Sequence, residues 1–406
     1  MEHFDERHII EALRSGIPSR RVGRVFSEAR PEIHQTILNL IDRTADEGTS
    51  SGIVISGKYG EGKTHLLHTV FDLAQKNNMV VSMISLSKET PMDKLPVIFR
   101  KIAANTFLPG REQPGFSPLY DKLTSGSAAY AELLMRAMKE LETDKLCYVL
   151  QCLVKTDDAD ERFLLTSDLE GDLLSGAELK RLYKKLYQQT AKYAQPFSKT
   201  KHMQDYFSFL SMLFKEMGYR GWVLLFDEAE LIGRMGKKAR LKAYNNIHRF
   251  LFPAENLVSV LSVFALSSSF EEDVIEGKHE YENVKEVYSA DLYPDEAAHI
   301  GAVLDRFLDA EQLRPLTGQE ISDVLSHIRL YHEAAYGWTA PVSDDELVKI
   351  STLGGYLLRS RIRSAIEYLD QFYQYGAAPD LHAGSLTETD LAEEDVPSLE
   401  GVREIL

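Results

Sequence analysis

The sequence has few of the features that mark secreted or membrane-bound proteins. Only two cysteines, Cys147 and Cys152, occur among its 406 residues, and both fall within one predicted helix. Their spacing on a helix points them in different directions, so a disulfide between them is not expected. No apolar run reaches the ~18 residues that a membrane-spanning helix needs. The first seven residues are polar and acidic, unlike a secretory signal. These absences predict a cytoplasmic protein that makes no use of a membrane.

Positive charge is also scarce in this chain. The 46 Lys and Arg residues face 62 Asp and Glu residues, which gives a formal net charge of −16. An acidic chain gains nothing overall from the phosphates of a nucleic acid. Any contact with nucleic acid must therefore come from a local basic patch.

Strand and helix patterns alternate in the first part of the sequence. A short apolar strand is predicted at 53–55, followed by a glycine-rich turn and a helix whose apolar face includes Leu66, Leu67, Val70 and Leu73. A second strand follows at 79–86. Strand, helix and strand at this spacing predict a βαβ unit of a parallel sheet, and hence an α/β fold.

Helical spacing replaces the strand pattern over residues 117–216. Three more strands are then predicted, at 222–226, 258–267 and 287–292, and a second helical block begins at Pro294 and lasts to about residue 375. The end of the chain is acidic, with a composition that is typical of a mobile tail.

The strongest motif lies between the first strand and the following helix. It matches G-x-x-x-x-G-K-[ST] and consists of Gly57, Lys58, Tyr59, Gly60, Glu61, Gly62, Lys63 and Thr64. Its glycines let backbone N–H groups turn inward, and with the helix N-terminus these groups cradle phosphates. Lys63 is expected to reach the β- and γ-phosphates, and the Thr64 hydroxyl to bind Mg²⁺. The motif, together with His65, predicts an ATP site.

Two carboxylates follow the apolar strand at 222–226. Asp227 can hold Mg²⁺ through its water shell, and Glu228 can orient or deprotonate an attacking water. The alternative is that Glu228 is only a solvated acid at a strand end. Beside the glycine-rich motif, the pair favours hydrolysis of ATP over phosphoryl transfer, which makes a small-molecule kinase the weakest interpretation.

Two weaker signals follow later strands and turns. Ser267 and Ser268 end a strand and could sense the γ-phosphate, although a plain serine turn explains them equally well. After a glycine pair, a helix begins with Arg359, Arg361 and Arg363. A guanidinium suits phosphate oxygens, but three arginines in five residues cannot all point one way.

A basic segment lies at 233–249. It has no acid and contains Arg234, Lys237, Lys238, Arg240, Lys242 and Arg249. These residues could form a solvated helix face that neutralises nearby acids, a DNA-binding patch, or the source of an arginine for the nucleotide of a neighbouring subunit. The sequence leaves all three interpretations open.

The motifs and the two helical blocks together resemble the AAA+ class of P-loop ATPases, close to its origin-recognition and STAND-like branches. Several stretches are similar to the ATP-binding proteins of BREX-type phage-defence loci. These stretches are 9–18, 57–67, 85–91, 218–221, 226–230 and 359–369. The resemblance covers roughly residues 8–375.

The resemblance implies a P-loop parallel sheet flanked by helices, with a large helical insertion and a C-terminal helical lid. The implied divisions are an N-terminal helical linker (1–50), a first core part (51–116), the insertion (117–216), a second core part (217–292), the lid (293–377) and the acidic tail (378–406). Arg359, or failing it Arg363, is implied to contact the nucleotide from the lid, which would close over ATP.

The resemblance also implies a bacterial defence ATPase that acts with other products of its locus, such as a helicase or a DNA methylase. DNA contact and a homo-oligomer are open expectations. AAA+ rings usually carry an arginine finger in the helix after the fourth strand, but 268–286 has no arginine. The alternative to an ATPase is a switch that distinguishes ATP from ADP with little turnover.

Overall fold

The computed structural model describes residues 4–15, 20–23, 29–289, 291–355 and 357–376. The predicted acidic tail (378–406) and the end of the first stretch of resemblance (16–18) lie outside the described residues. No described helix is both long and apolar enough to cross a membrane.

Helices make up most of the regular structure. In chain order they are α1 (Phe4–Ser15), α2 (Arg20–Gly23), α3 (Pro31–Asp46), α4 (Lys63–Lys76), α5 (Leu95–Ala104), α6 (Ala128–Glu140), α7 (Lys145–Lys155), α8 (Ala159–Leu169), α9 (Gly176–Tyr187), α10 (Met203–Glu216), α11 (Lys237–Leu251), α12 (Glu280–Val287), α13 (Pro294–Leu308), α14 (Gly318–Tyr336), α15 (Asp344–Ser351) and α16 (Leu358–Tyr375).

The strands of the described residues form one mixed sheet. They are β1 (Ser51–Gly57), β2 (Met79–Ser85), β3 (Thr106–Phe107), β4 (Gly221–Asp227), β5 (Val260–Ser267) and β6 (Glu311–Gln312), in the order β3-β2-β4-β5-β1-β6. All neighbours pair in parallel except β3, which is antiparallel to β2. Every residue of β4 is buried, as expected of a parallel strand covered on both faces. The sheet therefore confirms the predicted α/β class.

The chain forms two compact units. The sheet unit comprises Glu32–Lys58 and Val70–Leu313, and the second unit comprises Met1–Pro31, Tyr59–Thr69 and Arg314–Leu406. Helix α13 packs on α11 and belongs to the sheet unit, although the sequence assigned it to the lid. The finer division into core, insertion and lid stays a prediction.

The centre of the sheet is held by close contacts between β4 and its neighbours. The rings of Phe226 and Phe264 stack with centroids 4.3 Å apart, and the Trp222 indole N–H donates to the Ser82 hydroxyl at 2.8 Å. A Cβ atom at Gly221 would lie 2.5 Å from the backbone oxygen of Ser259. Only glycine therefore fits at the start of β4, because another backbone passes directly beside it.

The regular elements between residues 117 and 216 are all helical, and a buried ion pair joins three of these helices. The Lys145 ammonium donates to Asp168 at 2.5 Å and to the Tyr206 hydroxyl at 3.0 Å, and Tyr206 donates to the second carboxylate oxygen of Asp168 at 2.9 Å. Lys145 and Asp168 are almost fully buried. Each charge therefore depends on the other, because an isolated buried charge is very costly.

The predicted fifth strand at 287–292 is wrong. Residues 280–287 form α12, and the strand at this edge of the sheet is instead β6, whose two residues pair with Ile55 and Ser56. The Val and Tyr residues that suggested a strand lie at the end of a helix that packs on α11 and α13.

In the second unit, α1 packs against α14 and α16. The Arg14 guanidinium donates two hydrogen bonds to Asp370, at 3.0 and 2.7 Å. His332 lies 3.0 Å from the same carboxylate through Nε2 and accepts from the Trp338 indole at 3.0 Å. Because its Nδ1 accepts, Nε2 carries the proton and donates to Asp370. This network joins the first described helix to two helices near the other end of the chain.

Removing Asp168 should destabilise the sheet unit strongly. We expect Asp168→Ala to lower the free energy of unfolding by about 3–5 kcal/mol, because it leaves the Lys145 ammonium buried without its partner. Replacing both residues, as Lys145→Met with Asp168→Leu, should recover most of that loss. Urea unfolding followed by tryptophan fluorescence measures both.

The matched control for this prediction is Lys201→Ala, which breaks the exposed ion pair between Lys201 and Glu142. An exposed pair contributes about 0–1 kcal/mol. Equal losses for Asp168→Ala and Lys201→Ala would contradict the prediction.

Candidate functional site

The glycine-rich loop joins the end of β1 at Gly57 to the start of α4 at Lys63. Gly60 and Gly62 have φ angles of +76° and +94°, in the region that favours glycine. The amide of Leu66 already donates to the Gly62 oxygen at 2.9 Å, so helical hydrogen bonding begins inside the loop. The loop therefore leads directly into the N-terminus of a helix, which is an arrangement that suits phosphate.

Arg30 holds the outer side of this loop, although the sequence did not single it out. Within the second unit its guanidinium donates to the backbone oxygens of Glu61, at 2.9 Å, and of Arg314, at 2.7 Å, while its amide donates to the Glu320 carboxylate at 2.8 Å. Arg30 is only 6% exposed. It therefore connects the glycine-rich loop to the N-terminus of α14.

The backbone of Arg30 is strained. Its φ angle is +54°, and a left-handed conformation costs a non-glycine residue of order 1–3 kcal/mol. Such strain persists only where the surroundings impose it. Here they include Glu320, whose pKa is held well below its ordinary value chiefly by hydrogen bonds from the Arg314 guanidinium, and also by Thr317 and Arg30.

Arg359 lies beside the same loop, whereas Arg363 is exposed to solvent. The Arg359 guanidinium donates to the Tyr59 hydroxyl at 3.2 Å, and its Cβ lies 3.9 Å from the position that a Cβ would take at Gly60. Burial, with the charges of His68 and Arg359 close by, lowers the pKa of His65 to about 4. His65 is therefore neutral at pH 7. Of the two candidate arginines, Arg359 is the one that lies beside the loop.

The two predicted carboxylates lie at the carboxyl end of β4 in the sheet unit. Asp227 is buried and accepts from the Glu228 amide at 2.9 Å. Glu228 is exposed and has a φ angle of +55°, so the chain turns sharply and the two carboxylates do not follow the alternation of a strand.

Ser85 is a further member of this group that the sequence did not single out as a site residue. It ends β2 and pairs with Asp227 in the sheet register. Its hydroxyl donates to the Glu228 carboxylate at 2.9 Å. The sequence alone does not identify Ser85, because its place beside Asp227 follows from the order of the strands.

The predicted serines lie at the end of β5, between β1 and β4. The Ser267 amide donates to the Glu230 carboxylate at 3.2 Å, and the Ser268 amide donates to the Gly57 oxygen at 3.1 Å. The Ser267 hydroxyl also lies 3.1 Å from the Ser269 hydroxyl. These backbone bonds fix the serine turn against the end of β1.

The basic segment does not present all of its charges to solvent. Arg240 is buried in an ion pair with Glu280 at 2.6 Å and donates to the Met235 oxygen at 2.7 Å. Lys237 pairs with Glu286 at 2.9 Å. Arg234, Lys238 and Lys242 are exposed. The prediction that Arg240 contacts DNA is wrong, because its guanidinium is buried and neutralises the buried carboxylate of Glu280.

Among the described residues, no group of three or more His, Cys, Asp and Glu side chains could hold a metal ion by itself. The donors predicted for Mg²⁺ are one hydroxyl, of Thr64, and one carboxylate, of Asp227. Each is an oxygen donor of the kind that Mg²⁺ accepts, and Mg²⁺ is commonly held by one or two carboxylates together with substrate phosphates and water.

Loss of the Arg30 side chain should loosen the glycine-rich loop. We expect Arg30→Ala to raise the rate of amide hydrogen exchange over residues 58–66 at least about tenfold, since it removes hydrogen bonds worth roughly 1.5–3 kcal/mol when the donor is charged. Mass spectrometry of peptic fragments measures this. The control is Arg43→Ala, which removes an exposed arginine from α3. Equal exchange in the two variants would contradict the role of Arg30.

The family model described as "BREX system ATP-binding protein BrxC/D" matches residues 2–127 and 198–378. No curated protein matches the chain. The unmatched stretch between the two matched parts contains α6, α7, α8 and α9.

The matched parts contain the glycine-rich loop, Arg30, Ser85, the two carboxylates and Arg359. The match covers well over half of the chain and confirms the predicted resemblance. ATP binding and a role in a phage-defence system are properties that the family name carries. The chain belongs to the family of BREX system ATP-binding proteins, BrxC/D.

Proposed function

We propose that the protein binds ATP with Mg²⁺ through its glycine-rich loop, hydrolyses it, and couples hydrolysis to a conformational change in phage defence. The observation that carries the proposal is the position of two residues at one edge of the sheet. Gly57, where the loop begins, and Asp227, which precedes Glu228, both lie at the carboxyl ends of parallel strands. Ligands of open α/β sheets bind at this edge.

The strand order supports a P-loop ATPase of the AAA+ type. Strand β5 lies between β1 and β4, so the ends of β1 and β4 are separated by two strand spacings, or roughly 10 Å. That distance leaves room at the edge of the sheet for a terminal phosphate, an ion and a water. The Ser267 turn lies between the two ends and is the proposed sensor of the γ-phosphate.

The backbone and two side chains of the loop have proposed roles. The amides of 58–64 surround the phosphates, and the Lys63 ammonium neutralises the β- and γ-phosphates. The Thr64 hydroxyl and the Asp227 carboxylate are the oxygen donors for Mg²⁺, which would supply charge neutralisation of the phosphates when bound. Arg30 does not contact the nucleotide in this proposal, but positions the loop through Glu61.

Glu228 is the proposed general base. A carboxylate can accept a proton from the attacking water through one oxygen while the other oxygen accepts a hydrogen bond. The bond from Ser85 occupies one of these oxygens and fixes the rotamer of Glu228. The second candidate function is a switch with little turnover, in which the same bond holds Glu228 away from the attacking water.

Arg359 is the proposed contact to the nucleotide from the second unit. Among the described residues its guanidinium donates to a neutral hydroxyl, that of Tyr59, and no carboxylate pairs with it there. A half-buried guanidinium without a carboxylate beside a phosphate-binding loop is suited to an anionic ligand.

We further propose that hydrolysis serves other components of the defence system, such as a helicase or a DNA methylase, and takes place on or near DNA. The first part follows from membership of a defence-system family, and the second requires a local basic surface, because the chain as a whole is acidic. Assembly into a homo-oligomer belongs to the same proposal, with Arg234 as the trans-acting arginine.

The hydrolysis proposal is tested by Glu228→Gln. We expect this variant to bind ATP with Mg²⁺ normally and to hydrolyse it about 10²–10⁴ times more slowly, because the amide keeps the shape of the side chain and cannot accept the proton. Phosphate release and calorimetry measure the two properties. The control is Lys63→Ala, which should lose ATP binding as well. Turnover by the wild-type protein that is no faster than by Glu228→Gln would favour the switch.

The contact from Arg359 is tested in the Glu228→Gln background, where ATP is not consumed. We expect Arg359→Gln to weaken ATP binding roughly 10- to 100-fold, the equivalent of one charge-assisted hydrogen bond. The matched control is Arg363→Gln, an exposed arginine one helical turn further along α16. An equal effect of the two changes on calorimetric ATP affinity would exclude a specific role for Arg359.

A further inference from the structure

A second acid-free basic stretch lies between Glu178 and Asp205. It contains Lys180, Arg181, Lys184, Lys185, Lys192, Lys199 and Lys201, and all of these side chains are exposed. We call these residues the α9 cationic surface. Unlike the segment that contains Arg240, this stretch buries none of its positive charges.

The helical part of the surface is amphipathic. Lys180 and Lys184, and likewise Arg181 and Lys185, are four residues apart and therefore lie on one side of α9. On the opposite side Leu179 is buried, and Leu182 and Leu186 pack against the core of the sheet unit. The packing of the leucines fixes the direction in which the positive side chains point.

The part of the surface that follows α9 is held in place beside it. Tyr148 on α7 joins the two parts, because its hydroxyl accepts from the Lys192 amide at 3.2 Å and donates to the Lys192 oxygen at 3.0 Å. The Ala194 amide donates to Asp144 at 2.7 Å. The Lys180 ammonium lies 4.9 Å from the centre of the Tyr193 ring. Lys192 is thus anchored next to the helix.

Neighbouring carboxylates neutralise only part of this charge. Lys185 pairs with Glu161 at 2.6 Å and Lys201 with Glu142 at 3.4 Å. The pKa of Glu178 is lowered chiefly by hydrogen bonds from Ser175 and to a smaller extent by the charge of Arg181. Within the described residues, no ion pair is formed by Lys184, Lys192 or Lys199. A helix dipole favours cations in its last turn, which accounts for Lys184 but not for residues beyond the helix.

We propose that the α9 cationic surface binds the phosphate backbone of duplex DNA without reading its sequence. The positive groups extend along a helix about 18 Å long and continue onto the adjoining segment, which suits a line of phosphates. In a chain of net charge −16, such a local surface is what binding to a polyanion requires.

Two other ligands fit this surface less well. A membrane would require the apolar side of α9, which is packed against the protein. A protein interface would require apolar anchors at its centre, and no exposed large hydrophobic side chain of the described residues lies at 176–202.

Duplex DNA fits better than a single strand because the aromatic rings of the surface are already engaged. Tyr183 and Tyr187 stack on each other with centroids 4.6 Å apart, and the Tyr187 hydroxyl donates to the Gln151 oxygen at 2.9 Å. Binding of single strands usually depends on rings that are free to stack on bases.

This inference rests on the proposed function only in taking DNA as the partner, and it is independent of ATP hydrolysis. Residues 180–192 lie in the stretch that the family model does not match. Lys199 and Lys201 lie in the matched part.

The test compares two triple variants of the full chain, each of which removes one arginine and two lysines. The first is Arg181→Gln, Lys184→Gln and Lys192→Gln, and the second is Arg234→Gln, Lys238→Gln and Lys242→Gln. Affinity for a fluorescent duplex is measured by anisotropy between about 50 and 200 mM salt, the range over which phosphate contacts lose most of their affinity. Circular dichroism confirms that both variants are folded.

We expect the first variant to bind the duplex at least about tenfold more weakly at the lower salt concentration and to reduce the slope of log K against log salt by about 3, or roughly one unit for each cation. The second variant should match the wild type within about twofold. Unlabelled single strands and poly-glutamate of equal charge should compete less well than the duplex.

The remaining outcomes overturn the inference. Equal losses in both variants would indicate a general effect of net charge, and a loss in the second alone would place DNA on the segment that includes Lys238. Equal competition by single strands or by poly-glutamate would show that the ligand class is wrong. A wild-type protein that binds no duplex would remove the inference, while phosphate release, measured separately, still decides the proposed function.

Discussion

The arrangement of parallel strands is the constraint on which the rest of the site depends. Parallel strands send all their carboxyl ends to one edge of a sheet, and here β1, β5, β4 and β2 end at Gly57, Ser267, Asp227 and Ser85. A glycine, two hydroxyls and a carboxylate from distant parts of the sequence thus meet along one line. The buried strand β4 can place Asp227 there only because tightly packed neighbours, such as Phe226 on Phe264, fix its register.

Much of the sheet could be predicted because its signals are local. The apolar run of β4 and the glycine-rich motif after β1 each carry their meaning within a few residues. The edge strand β6 could not be predicted, since it has only two residues, both exposed. A strand was predicted at 287–292 instead, because valine and tyrosine favour strands, but packing of α12 against α11 and α13 decided the structure.

The candidate site shows the same division between local and distant information. The loop, the two carboxylates and Arg359 follow from motifs and from a resemblance, but Arg30 and Ser85 act through single contacts with Glu61 and Glu228. Such contacts have no period and no spacing in the sequence. Counting charges identified an acid-free segment at 233–249, yet only the positions of the side chains show that Arg240 faces inward.

Buried and exposed cations of this chain are subject to different physical constraints. Lys145 and Arg240 are each buried with a carboxylate, and folding requires those pairs because an unpaired buried charge is very costly. The helix dipole accounts for Lys184 in the last turn of α9 but not for Lys180 four residues before it, since like charges at that spacing destabilise a helix by about 0.2–0.5 kcal/mol. The fold tolerates that repulsion, and a line of phosphates would relieve it. A chain with sixteen excess negative charges that nevertheless gathers cations on one solvent-facing surface is therefore better explained by a ligand than by stability.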